Sequence, residues 1–192
     1  MASAKGKKLI SVSEDAIDQA ATISRNEGVS LSKVVENSLL QAVKVNKLGY
    51  RSDQIADFFE VLQANRVLGG LFVPSGVLDF MIEKCGKTGF VQLQTLWFES
   101  GQWNGKYLAE KFSNPVEAFG RFLELSRWDI NEVDVKASGD SVKVRCVSTV
   151  MSLENTNLLA KFIEGAMNGI GYKIENVDLS KGMIILSSKK AS

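Results

Sequence analysis

The sequence predicts an α+β chain in two parts: a small N-terminal unit of one strand and two helices, then a C-terminal domain whose antiparallel sheet packs against helices. Three observations predict it. Hydrophobic spacing over residues 7–43 switches from alternating to helical within a few residues. Residues 71–127 carry helical spacing through most of their length. Alternation then returns at Val133 and again at Tyr172, each time around a glycine-containing turn. A length of 192 residues suits two domains better than one.

The first element is residues 7–13, where Ile10 and Val12 point to one side and Leu9, Ser11 and Ser13 to the other. Ser13 is a helix cap, with Glu14 and Asp15 in the first turn, where the helix dipole favours negative charge. Ile17, Ala20, Ala21 and Ser24 recur at helical spacing, and Asn26-Glu27-Gly28 ends the run. Ser30 opens a second helix with the apolar stripe Leu31, Val34, Val35, Leu39, Ala42 and Val43. One short strand and two short helices cannot bury enough apolar surface alone, so the unit predicts a partner supplying a second strand and helix pair.

In the order strand, helix, glycine turn, helix, the segments ISVSEDAID and GVSLSKVVENSLLQA resemble the ribbon-helix-helix DNA-binding family. The resemblance implies a homodimer whose two strands pair and enter the major groove of double-stranded DNA as a ribbon. By position it implies that Lys7, Leu9 and Ser11 face base edges, with Lys5 beside them and Ile10 and Val12 beneath the ribbon. It also implies that the amides around Ser30, Leu31 and Ser32 hold a phosphate, with Lys33 adding charge. Leu9 departs from the polar or basic reader frequent in that family. It touches a thymine methyl but offers no hydrogen bond, which narrows base readout. A plainer reading of the same residues is a helical hairpin that serves only to dimerise the chain.

Composition narrows the field. The formal net charge is +1, so nothing in the overall balance announces a polyanionic partner. Residues 1–48 hold seven Lys/Arg against five Asp/Glu, and three of the seven are Lys5, Lys7 and Lys8. There is no histidine, which removes the commonest general base and the usual haem ligand. The two cysteines, Cys85 and Cys146, lie far apart and suit buried reduced thiols better than a disulfide framework. No stretch is long and apolar enough to cross a membrane, and no apolar signal core opens the chain, so the expected location is cytoplasmic. No catalytic constellation emerges: Glu99, Glu110, Glu117 and Glu124 are scattered over helix faces. The expectation is a protein that is not an enzyme, with no metal and no cofactor.

Residues 49–70 read as a connection containing a helix from about Asp53 to Leu68, with Ser52 as cap and Ile55, Phe58, Phe59, Leu62 and Val67 on an apolar face. That face packs either on a twin in a dimer or on the C-terminal domain. From residue 71 the domain opens with an extended run at 71–74 and a helix at 77–85. Gly86-Lys87-Thr88-Gly89 is a break that lacks the spacing and preceding strand of a phosphate loop. A long helix at 90–112 contains Gly101 and Gly105 on one face, marking a kink or a close helix crossing. Asn114-Pro115 starts the next helix, to Arg127. Val133, Val135 and Ala137 face Val142, Val144 and Cys146 across a Ser138-Gly139-Asp140-Ser141 turn, with Lys136, Lys143 and Arg145 on the opposite side. A helix at 153–167, ended by Gly169 and Gly171, precedes a last hairpin at 172–179 and 183–186. The tail from Ser187 is expected to fray.

Residues 71–188, with LFVPSGVLDFMIEKCGKTGFVQLQTLWFESGQWNGKYLAEKF and LAKFIEGAMNGIGYKIENVDLSKGMIILSS, resemble the 4-vinyl reductase sensor domain, whose fold is shared with haem nitric-oxide sensors and Golgi-transport tethering subunits. The resemblance implies a sensor-like domain at 71–192 that binds small apolar effectors beside an effector module. The chain lacks the clustered C-terminal cysteines of zinc-binding members and the axial histidine of haem-binding ones. Trp97, Trp103, Tyr107, Phe119, Phe122 and Phe162 are the candidate pocket lining; the plainer reading, which helical spacing favours for any one of them, is ordinary core. Together these readings give a dimeric transcriptional regulator. The alternative is a protein-interaction or tethering module that its N-terminal unit merely dimerises.

Overall fold

In the computed structural model, which describes residues 9–191, the chain divides between Ile55 and Ala56 into two units. In the first, residues 9–13 lead into the helices without a sheet partner among the described residues. Lys5, Lys7 and Lys8, and with them the start of the expected strand, lie outside the described residues. Helix α1 (Glu14–Glu27) begins where Ser13 Oγ accepts the Ala16 N–H at 3.4 Å. It ends at Gly28, whose φ of 67° is a left-handed conformation that costs glycine little. Ser24 Oγ then donates to the Val29 carbonyl at 2.6 Å, fixing the turn. Helix α2 (Leu31–Lys47) starts at Ser30, whose Oγ accepts the Lys33 N–H at 3.3 Å. A single 3-10 turn at Ser52–Gln54 follows.

In the second unit, α3 (Ile55–Val67) sets Val61 and Ala64 against Phe122, and Asp57 accepts from Arg121 at 3.2 Å. Its apolar face therefore lies partly on the C-terminal domain, while Phe59 and Val67 stay exposed. Helix α4 (Ser75–Lys111) is two helical runs joined at Gly86, where φ 64° and ψ −179° interrupt the ladder. The expected break at 86–89 is thus one residue wide, with Lys87, Thr88 and Gly89 helical. Asp79, on the first run, accepts from Asn155 Nδ2 at 3.1 Å and from Ser152 Oγ at 3.3 Å, tying that run to the start of a later helix. Helix α5 (Pro115–Ser126) opens with Asn114 Oδ1 accepting the Glu117 N–H at 3.3 Å.

Strands β1 (Glu132–Ser138) and β2 (Ser141–Val147) precede α6 (Leu153–Ile170), and β3 (Tyr172–Ser180) and β4 (Met183–Lys190) close the chain. All pairings are antiparallel, in the order β1-β2-β4-β3. The fold is α+β, one antiparallel sheet packed against helices. Two expectations are corrected. Residues 187–190 are not a frayed tail but the end of β4, with 187–189 paired on both sides because β4 lies between β2 and β3. Helix α6 passes through Gly169 and ends only at Gly171.

The core fills the space between the sheet's inner face and α5 and α6, with Phe119, Leu123, Leu159, Ile163, Met167, Val144, Ile184 and Leu186 buried. Behind it α4 crosses α6 at backbone distance. A Cβ on Gly105 would stand 2.1 Å from the Ala166 carbonyl oxygen, and one on Gly165 would stand 2.0 Å from that of Phe98. Gly101 and Gly105 mark a close crossing and no kink, since Gly86 alone in α4 departs from helical geometry. Among the described residues no helix is long and apolar enough to cross a membrane.

Candidate nucleic-acid interface

The N-terminal unit presents its apolar residues outward. Val34 is the one buried side chain among its described residues. Leu31, Val35, Ala42, Ile17, Ala20 and Ala21 are half-buried, while Ile10, Val12, Leu39, Leu40 and Val43 are exposed. Capping chemistry holds α1 and α2 in place, yet the hairpin they form leaves Leu39 and Val43 of the α2 stripe uncovered.

Of the expected DNA-contacting residues, Leu9 is fully exposed and Ser11 exposed, both ahead of α1. Lys5 and Lys7 lie outside the described residues. Ser30, Leu31, Ser32 and Lys33 form the first turn of α2. The Lys33 N–H is taken by the Ser30 cap, and the first i to i−4 bond of the helix is from Val34 to Ser30. The Leu31 and Ser32 N–H groups precede that bond and point along the helix axis without an intrahelical acceptor. Lys33 Nζ stands 3.6 Å from Glu36, both side chains more than half exposed, a pair that water screens and a phosphate can displace.

The six aromatics of the C-terminal domain do not share one environment. Phe162 stacks on Phe119 and Phe122 with centroids 6.3 and 6.1 Å away and takes the edge of Trp97 at 6.2 Å. Phe119 and Phe122 are buried, and Tyr107 packs against the same core. Trp103 stands apart, 65% exposed, with Lys106 Nζ 5.0 Å from its ring centroid. Beside Phe122 and Val61 lies a recess of about 10 Å³, the room of a single water.

Burial pushes the Cys146 thiol up to about 12, and the charge of Arg127 only partly offsets it. Burial also opposes ionisation of Asp129, but Arg127 donates to it at 2.8 and 2.7 Å and holds the carboxyl below its ordinary value. No protein-family model matches the chain, and no curated protein matches it.

Proposed function

We propose that the chain is a dimeric DNA-binding transcriptional regulator of the ribbon-helix-helix kind. Two copies pair the segments around residues 7–13 into a two-stranded ribbon, and the ribbon enters the major groove. The observation that carries this reading is the uncovered apolar set Ile10, Val12, Leu39, Leu40 and Val43 on a hairpin whose helix ends are fully capped. Caps at Ser13, Gly28 and Ser30 fix where each helix starts and stops, so the hairpin is a defined shape lacking only its other half. A second copy supplies it. Leu9 and Ser11 then face the bases, and the α2 amides of Leu31 and Ser32 face a phosphate.

The C-terminal domain carries the signal in this reading, as a non-enzymatic module. An apolar effector acts by parting the stack around Phe162, since the recess beside it holds only about one water. Such a ligand shifts the regulator only if it prefers one arrangement of the domain over another.

The test is to measure the mass of the full chain in solution and its affinity for DNA from upstream of its own coding sequence. The expected result is a dimer that prefers this DNA over a random duplex, with the preference reduced in Ser11→Ala. A dimer without DNA affinity would replace this reading with that of a dimerised protein-interaction module.

A further inference from the structure

The outer face of the four-stranded sheet segregates its charge. Val142, Val144 and Cys146 of β2 and Ile184, Leu186 and Ser188 of β4 are buried, so alternation puts Lys143 and Lys189 on the outer side. Directly paired residues share a face, which adds Lys136 opposite Lys143 and Lys173 opposite Lys189. All four lysines are exposed, one on each strand. They occupy two adjoining rows across the sheet. One row runs Lys136, Lys143, Ser187, Asn176, and the next runs Ser138, Ser141, Lys189, Lys173.

Like charges directly opposite on a sheet are destabilising, and this end of the face holds two such pairs in a chain whose net charge is +1. The other end is acidic: Glu132, Asp134 and Asp178 stand there against Arg145 alone, which donates to Glu132 and lies opposite Asp134. At the basic end Lys136 donates to Asp134 at 2.6 Å, with Asp140 in the β1–β2 turn and Glu175 at the β3 irregularity nearby in sequence. Among the described residues none of Lys143, Lys173 and Lys189 has a carboxylate within ion-pair distance.

We propose that this face binds the phosphodiester backbone of nucleic acid without reading its sequence, a contact separate from the ribbon. The lysines do not converge on one point, as a single small anion would need. They spread over three interstrand gaps, roughly 14 Å, which matches a repeating line of phosphates. Serine hydroxyls and an amide fill the same two rows, and these donate to phosphate oxygens. No apolar side chain stands in either row, whereas a membrane-binding face inserts apolar groups among its cations.

The experiment uses the full chain on a fluorescein-labelled random-sequence 24-base-pair duplex, with affinity followed against salt. The wild type is expected to bind, and the triple variant Lys143→Gln/Lys173→Gln/Lys189→Gln to flatten the log–log salt slope by about 2 to 3, near 0.9 per lost phosphate contact. The matching arginine triple keeps the slope. Unfolding temperature should hold or rise in the glutamine triple, because repulsion is removed. Should that triple fail to fold, Lys173→Gln alone, on the edge strand, is expected to flatten the slope by about 0.9. An unchanged slope overturns the proposal. So does a wild type that ignores random DNA at low salt, including one that instead binds phosphatidylserine vesicles. The ribbon reading fails separately: random-duplex binding that persists without any preference for upstream DNA removes the ribbon and leaves the sheet contact standing.

Discussion

A Cβ on Gly101 would lie 2.0 Å from the carbonyl oxygen of Phe162, on the facing helix. Helices α4 and α6 meet there backbone to backbone, so the missing side chain sets how close the two halves of the C-terminal domain stand. Gly101→Ala must therefore push the helices apart or strain both. The expected loss is about 1–3 kcal/mol, as for other overpacked cores. Gly76, in the first turn of the same helix, has nothing within 4 Å of its Cβ position. Gly76→Ala should cost nothing and gain up to about 1 kcal/mol through helix propensity. Chemical denaturation of the two variants checks the contrast.

Leu39 is 54% exposed in the single chain, so an aspartate there costs the monomer little. In the proposed dimer the same carboxylate would be buried without a partner. Leu39→Asp should weaken dimerisation by at least about 2 kcal/mol, roughly thirtyfold in the dissociation constant. Sedimentation equilibrium measures it directly. An undiminished dimer would place the interface elsewhere.

The Arg127–Asp129 pair closes the turn between α5 and β1, and Ser148 Oγ donates to the Asp129 carbonyl at 2.5 Å. Because the folded carboxyl is held below its unfolded value, its contribution is present above the unfolded carboxylate range, near 3.9. It is lost as pH falls through the folded value. Asp129→Asn should cost about 1–3 kcal/mol at neutral pH, and less as the acid limb is approached. Urea midpoints of wild type and variant at pH 7 and pH 3 should converge.

Cys146 is buried and its thiol is pushed up to about 12, so almost no thiolate exists at pH 8. Cys85 is partly exposed at the end of the first run of α4. A disulfide reagent at pH 8 should titrate one thiol in the native protein and the second only on unfolding. Two rapidly reacting thiols would contradict the packing of β2.

Local chemistry made the helix ends legible: Ser13, Gly28, Ser30 and Asn114-Pro115 each sit where their side chain or backbone satisfies a terminal amide or carbonyl. Alternation likewise marked β1 and β2. Relations between distant segments were not legible. Ser187 and Ser188 look like tail residues, but Ser188 is buried and its hydroxyl donates to the Val142 carbonyl at 3.3 Å, a contact that exists only because β4 inserts beside β2. Gly169 looks like a helix stop, yet it sits inside α6 because a Cβ would stand 2.3 Å from the Gln102 carbonyl oxygen. Pocket candidacy likewise grouped Trp103 with Phe119 and Phe162, although only the latter two turn inward. The outer-face lysines were half visible. Lys136 and Lys143 alternate in sequence, but strand order alone brings Lys173 and Lys189 to them.

Whether the N-terminal unit reads DNA is decided by fluorescence anisotropy on upstream DNA. The full chain should bind that duplex more tightly than a random one, with a steep salt dependence, and a chain beginning at Ala56 should lose the preference. Equal affinity for upstream and random DNA, or a preference kept by the shortened chain, would contradict DNA reading by that unit.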